Sequence, residues 1–381
     1  VRFELTGEQE QIRGMVRSLA RKEFTPKAAE IDEKSRYPEE NLKRLAELGL
    51  LGMLIPESHG GSDAGAVAYA IALAEVAGGC ASTGVGMAVA NMAGEAIYRF
   101  GSEEQKRRFL PLLVSGTEAG AFALTEPSAG SDAFGISTVA VPDGDTYVLK
   151  GSKSFITNGS RAGVAIVMAV TQKEPKKRIS AFLVESETRG VSHGKPENKM
   201  GLRGSNTVSL SFDDCRVPKR NLLGEEGEGF RIAMKTLDGG RVGIASQSIG
   251  IARAAIEAAI SYARERRQFG NPIADFQAIQ WMIADSATEL DAAWLLTLRA
   301  AYRKDTGNPF TRDASVAKVF ASEAGYRACH RAVQIFGGYG YMREYPVERH
   351  LRDIKVTSIY EGTSEIQRTV IARDLLGQGH R

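Results

Sequence analysis

The hydrophobic pattern of this chain changes period twice, and that double change limits its possible folds more than any other feature. Through residues 5–120 apolar side chains recur at helical spacing. Thr6 with Gln9 and Ser102 with Gln105 form capping boxes, and Pro38 opens a helix carrying Leu42, Leu45 and Leu48. Residues 64–76 and 83–100 are rich in alanine and glycine yet keep the same spacing. Near Ala121 the pattern becomes one of strands. Residues 147–149, 164–170, 179–184 and 208–212 are short β-branched runs, divided by turn chemistry at 142–145, 158–159 and 173–178. From about Gly227 helical spacing returns in three long stretches, 230–267, 275–304 and 311–336, suited to a bundle. An α+β chain of three domains follows: helical over 1–120, β over 121–226 and helical over 227–381.

Composition removes several function classes. A net charge of +3 is too small to argue for nucleic acid or a membrane surface. Three widely spaced cysteines (Cys80, Cys215 and Cys329) form neither a disulfide framework nor a metal cluster, which favours a reducing compartment. The five histidines show no zinc-site spacing, so no metal is expected. No stretch approaches the roughly 18 apolar residues of a membrane span, and the start lacks a signal-peptide pattern. No Gly-x-Gly-x-x-Gly follows a strand, which disfavours a Rossmann nucleotide domain.

Several short segments could carry chemistry, and each has a plainer reading. Ile359-Tyr360-Glu361-Gly362-Thr363-Ser364-Glu365-Ile366-Gln367-Arg368 puts a carboxylate on a turn just before a helix start. Ser364 with Gln367 reads as its capping box. Glu361 is then either a general base near a helix dipole or a solvated turn residue. The segment from Phe122 through Leu124, Thr125 and Pro127 to Gly130-Ser131-Asp132 suits a loop that presents hydroxyls and N–H groups to a polar ligand, or a simple interdomain turn. Ser154-Phe155-Ile156-Thr157-Asn158-Gly159 could flank a planar cofactor or merely close a hairpin. Arg266 ends a helix in a cationic cluster before Phe269-Gly270, fit for a diphosphate or for a helix C-terminus. Gln334-Ile335-Phe336-Gly337-Gly338 ends another, fit for close ligand approach or for a C-cap.

Taken together and in order, these blocks and motifs resemble the acyl-CoA dehydrogenase family over essentially the whole chain. The most specific matches are Leu124-Thr125-Glu126-Pro127 with Gly130-Ser131-Asp132, Phe155-Ile156-Thr157-Asn158-Gly159, Asp238-Gly239-Gly240-Arg241, Gln334 to Gly338, and Tyr360-Glu361-Gly362-Thr363. The resemblance implies a helical N-domain, a β-domain and a C-terminal four-helix bundle around FAD. It implies that Phe122, Leu124, Thr125 and Ser131 line the flavin, and that Ser131 also meets the acyl-CoA. Phe155, Ile156 and Thr157 would cover the opposite flank, where the family more often has Trp in place of Phe155. Arg266, Phe269 and Gln277 would hold the diphosphate and adenosine portion, with Gln334, Ile335, Gly337 and Gly338 reaching the cofactor from a neighbouring subunit. Thr363, Ser364 and Glu365 would touch the flavin again. Asp238, Arg241, Tyr360 and Gly362 would meet the substrate, and Glu361 matches the base. Some relatives carry the base at the position of Gly240, which has no side chain to offer.

The implied reaction is α,β-dehydrogenation of an acyl-CoA thioester to the trans-2-enoyl-CoA. Glu361 would take the α-proton while the β-hydrogen leaves as hydride to flavin N5. The Glu361 N–H and a flavin ribityl hydroxyl would stabilise the developing enolate. Electrons would pass to an electron-transferring flavoprotein, and the enzyme would be a homotetramer, a dimer of dimers. It would be cytoplasmic if bacterial and in the mitochondrial matrix if eukaryotic. The chain most resembles short-chain and branched short-chain members, so a short, branched or compact ring-bearing acyl group is expected. Gly84, Gly86, Ala88, Ala90 and Ala93 could widen the acyl end or merely allow close helix packing. No Lys or Arg falls between Ala81 and Tyr98 to meet a second carboxylate. The rival readings are a flavin oxidase, nitroalkane oxidase included, on the same fold and a non-catalytic FAD- or CoA-binding scaffold.

Overall fold

A computed structural model describes residues 4–378. The first helical block comprises α1 (Gly7–Leu19), α2 (Thr25–Glu33), α3 (Glu39–Glu47), α4 (Gly65–Gly79), α5 (Ala81–Phe100) and α6 (Glu103–Val114). Both expected capping boxes form, Thr6 with Gln9 on α1 and Ser102 with Gln105 on α6. Pro38 caps α3. α4 and α5 are buried nearly all round, because alanine and glycine let neighbouring backbones approach closely.

The β block contains β1 (Ala119–Ala123), β2 (Val139–Asp143), β3 (Thr146–Thr157), β4 (Ala162–Gln172), β5 (Arg178–Glu185), β6 (Val191–His193), β7 (Thr207–Pro218) and β8 (Leu222–Leu223). Their order is β6-β7-β3-β2-β4-β5-β8. β1 joins by pairing parallel with β4, from Ala119 opposite Ala162 to Ala123 opposite Val167, while β2 meets the same strand only at Val170. Between β1 and β2 the chain therefore leaves the sheet over residues 124–138, and this excursion carries the Thr125–Ser131 motif. β1, β2, β6 and β8 were not among the expected runs. Each is short, and β1 (Ala-Gly-Ala-Phe-Ala) has no β-branched residue to mark it.

The last block holds α7 (Gly229–Glu265), a two-residue hairpin β9 (Arg267–Gln268) and β10 (Asn271–Pro272), then α8 (Gln277–Asp305), α9 (Thr311–Phe336), α10 (Pro346–Lys355) and α11 (Ser364–Leu375). The three long helices pack on one another, with α10 and α11 laid against α9. α7 also packs on α4 and α5 and so joins the two helical blocks. A cleft opens where α5, α7 and the edge of the β block meet.

Candidate active site

The β block supplies one wall of a cleft. Its shape rests on Glu126, buried in the 124–138 excursion. One carboxylate oxygen accepts from the Ser137 N–H and hydroxyl, both at 2.7 Å, and the other from the Thr138 N–H at 2.9 Å and Lys153 Nζ at 2.8 Å. Lys153, wholly buried on β3, also donates to the Leu124 carbonyl at 3.0 Å, and the Ser154 N–H donates to the Thr125 carbonyl at 2.8 Å. Burial alone would push the Glu126 carboxyl up, yet hydrogen bonds from Lys153, Thr138 and Ser137 outweigh it and hold it at about 2. Beyond Lys153 the pairing of β3 with β7 is interrupted until Ile156, and Phe155 adopts φ 58°. That bulge turns the Phe155 ring out of the sheet, where it stands 67% exposed.

Two helices form the floor. α5 contributes Val85, Ala88, Val89 and Met92, and α7 contributes Met234, Leu237, Arg241 and Ile244, each set lying on one helical face. Of the small residues that could either widen the acyl end or allow close packing, only Ala88 lines the cleft. Gly84 lies against Ala77 and Gly86 against Leu42, so their smallness serves helix packing.

Glu361 closes the cleft from the C-terminal side. The chain turns sharply before α11, with Glu361 at φ 51° and Gly362 at φ 92°. A non-glycine residue in this left-handed region costs on the order of 1–3 kcal/mol, so the surroundings must hold it there. Gln367 Nε2 donates to the carbonyls of Glu361 at 3.2 Å and Gly362 at 2.9 Å, and Lys318 Nζ donates to Gly362 O at 2.7 Å. The N-cap of α11 is Thr363, whose hydroxyl accepts from the Ile366 N–H, rather than Ser364. The expected capping box is thus absent, because Gln367 is drawn back to the turn carbonyls. Glu361 Oε2 is buried and has no hydrogen-bond partner among the described residues. Burial pushes this carboxyl up to about 7 against the pull of Lys318 and Arg241. A Cβ placed on Gly240 of α7 would overlap the Glu361 carboxylate, so glycine leaves that carboxylate its space.

The cleft gathers Phe122, Leu124, Thr125, Ser131, Phe155, Ile156, Thr157, Arg241, Tyr360, Glu361 and Gly362 from four distant parts of the sequence. Asp238 does not line it. Its carboxylate accepts from Arg241 at 2.9 Å and Thr311 at 2.6 Å, and the residue is only 3% exposed. Thr363, Ser364 and Glu365 lie at the start of α11, outside the lining: Thr363 caps, Ser364 is buried and Glu365 is exposed.

A second groove, sharing no lining residue with the first, holds Arg266, Ile335, Gly337 and Gly338 together with Tyr262 and Tyr339. The Arg266 guanidinium lies 5.5 Å from the Tyr339 ring centre. Gln334 stands exposed on the last turn of α9, and Phe269 and Gln277 are exposed nearby on the hairpin and the start of α8. Arg266 and the glycine pair therefore belong to one surface of one chain. The two motifs that the resemblance divides between subunits thus share one groove.

Lys153 and Lys318 are absent from the sequence reading, and Gln367 enters it only as a capping-box partner. Two had a visible signal, since Lys153 continues the inward parity of Tyr147 and Leu149, and Lys318 interrupts the alanine stripe of α9.

Family models for the N-terminal, middle and C-terminal domains of acyl-CoA dehydrogenases match residues 6–117, 121–215 and 227–376. The chain is 51% identical to a probable acyl-CoA dehydrogenase of Bacillus subtilis (strain 168), covering 98% of this chain and 99% of that one. It is 50% identical to the mitochondrial short-chain specific acyl-CoA dehydrogenase of Sus scrofa, over 98% and 91% of the two chains. Among solved structures, butyryl-CoA dehydrogenase from Megasphaera elsdenii superimposes with a TM-score of 0.96 at 45% identity, covering 99% of this chain and 100% of that one.

Proposed function

Since the chain belongs to the acyl-CoA dehydrogenase family, we propose that it oxidises short-chain acyl-CoA thioesters to trans-2-enoyl-CoA with Glu361 as the base. It is an FAD-dependent oxidoreductase acting on CH–CH bonds. The observation that carries the assignment of Glu361 is its carboxylate, buried without a donor at Oε2 on a strained turn facing the cleft. The cleft fits the cofactor chemically. An outstanding Phe155 ring offers a stacking face, and three hydroxyl-bearing residues, Thr125, Ser131 and Thr157, line the same space. Bound FAD supplies the hydride acceptor.

The chain's own contribution is basicity, placement and dryness. An α-C–H is far too weak an acid for a carboxylate of ordinary pKa, about 4.3. A carboxyl near 7 is still ionised in about half the molecules at neutral pH and is a much stronger base. A substrate filling the apolar floor excludes water and raises its basicity further. On the family resemblance, the Glu361 N–H would donate to the thioester carbonyl. Because the carboxylate is the active form, kcat/KM for the free enzyme should rise with pH through about 7.

Val85, Ala88, Val89, Met92, Met234 and Leu237 give the acyl group an apolar bed. Arg241, the cation lining it, is committed to Asp238, which favours an uncharged acyl end over a dicarboxylic one. Electron-transferring flavoprotein is the proposed acceptor. The test is anaerobic mixing of the yellow holoenzyme with a panel of acyl-CoAs. Butyryl-CoA or a branched C4–C5 analogue should bleach the flavin fastest. A higher kcat/KM for palmitoyl-CoA would refute the substrate class, rapid peroxide formation in air would point to an oxidase, and no bleaching with any thioester to a scaffold.

The assembly follows from the same reading. Trp281, Leu295 and Tyr302 on α8 and Tyr326 on α9 stand exposed, which supports an interface on this bundle. A homotetramer, a pair of dimers, is expected, and sedimentation of a fully flavinated monomer at micromolar concentration would sink it.

A further inference from the structure

Ala314, Ala317 and Ala321 form part of the buried stripe of α9, and Lys318 lies within it with no exposed surface. An ammonium taken out of water costs several kcal/mol unless its surroundings compensate. Compensation here is sparse. Nζ donates to the Gly362 carbonyl at 2.7 Å and makes no ion pair within 4 Å among the described residues. A lysine of this kind has no packing rationale that methionine would not meet, so its charge calls for a use.

The carbonyl it grips belongs to the residue after Glu361. We propose that Lys318 is a positioning residue for Glu361, fixing the left-handed turn through Gly362 and setting a positive charge near the carboxylate. This rests on the assignment of Glu361 as the base. A direct Lys–Glu ion pair would hold the carboxylate but quench it as a base. Holding the neighbouring carbonyl leaves Oε2 free while the cation still acts through space. Each group feels the other: Lys318 draws the Glu361 carboxyl down, and Glu361 opposes the burial that still leaves the Lys318 ammonium at about 8.

Other charged or titratable groups face Glu361, and each has a different state. Arg241 of α7 is paired with Asp238. Tyr69 of α4 is buried, and its hydroxyl is pushed well above its usual range. Tyr360 is half-buried, its hydroxyl is likewise pushed up by desolvation, and it donates to Gln247. Glu365 and Glu323 lie on the Lys318 side. Lys318 is thus the cation near the base whose charge no carboxylate neutralises at contact distance. It counters the desolvation that follows when substrate seals the cleft, and keeps the carboxylate available.

Two substitutions separate the roles. Lys318→Gln keeps a donor for Gly362 O and removes the charge, whereas Lys318→Met removes both. Flavin reduction by butyryl-CoA is followed by rapid mixing across pH. Independently of turnover, the infrared carbonyl band of protonated Glu361, assigned by its loss in Glu361→Gln, is titrated in the holoenzyme. Both variants should move the Glu361 titration and the acid limb of flavin reduction upward by about one pH unit, a tenfold change in ionisation. Lys318→Gln should recover most of its rate at high pH, and Lys318→Met should stay slow throughout. A titration unmoved in both variants would overturn the proposal. Failure of both to fold with FAD would overturn it too, and assign Lys318 to stability alone. Retained turnover in Glu361→Gln would instead remove the base assignment itself.

Discussion

Glu361→Gln should keep its FAD, still bind acyl-CoA and lose turnover by about 10²–10⁴-fold, the range for removing a general base. The amide is nearly isosteric, so the space above Gly240 and the φ 51° turn remain filled and held by Gln367 and Lys318. What disappears is the one property the turn protects, a carboxylate oxygen with no donor of its own. Binding should change little, since the apolar bed and the Thr125–Ser131 loop are untouched. The loss should therefore fall on kcat more than on KM. The check is stopped-flow flavin reduction in a variant of full flavin content. Retention of a tenth of the wild-type rate would place the base elsewhere.

Lys153→Met should destabilise the protein by about 3–5 kcal/mol, the usual penalty for stripping a partner from a buried ion pair. Glu126 would keep the donors of Ser137 and Thr138 but lose the cation that offsets its burial, and the Leu124 carbonyl would lose its donor. Because this pair shapes the loop that lines the cleft, FAD retention should fall together with stability. The pH sign is definite. The Glu126 carboxyl is held at about 2 in the folded state, below the ordinary value of about 4.3. Its contribution is complete above that ordinary value and is lost as pH falls toward 2. Urea unfolding midpoints at neutral pH give the measurement, and a shift worth less than about 1 kcal/mol would show that the pair is not what holds the loop.

The helical parts of the fold were legible because helical spacing, capping boxes and proline starts are local. Thr6, Ser102 and Pro38 mark their helices in both sequence and structure. β1 was not legible, since five small or aromatic residues carry no period-two signal and its pairing with β4 is parallel and distant. At the α11 start the local rule misled. Ser364 and Gln367 have capping-box spacing, but two carbonyls left open by a left-handed turn compete for the same amide and win. Lys318 and Lys153 were hidden for a related reason. A charged residue at an inward position reads as an exception to a pattern until the atoms that use its charge are seen. The meeting of Arg266 with Gly337 and Gly338 is a tertiary fact, fixed by how α7 and α9 pack, and no spacing along the chain encodes it.

The overlap between the Glu361 carboxylate and the space a Cβ on Gly240 would occupy has a bearing on how such sites change over time. One point beside the cleft lies within reach of two backbones, the middle of α7 and the turn before α11. Only one of them can send a side chain there. The location of the carboxylate is therefore a property of the enclosure, and the sequence position that fills it is a choice between two routes of entry. A lineage that moved its carboxylate from one route to the other would leave the floor of α5, the loop held by Glu126 and Lys153, and the Phe155 bulge in place. Ancestry and catalytic position can then part company in chains that share every wall of this room.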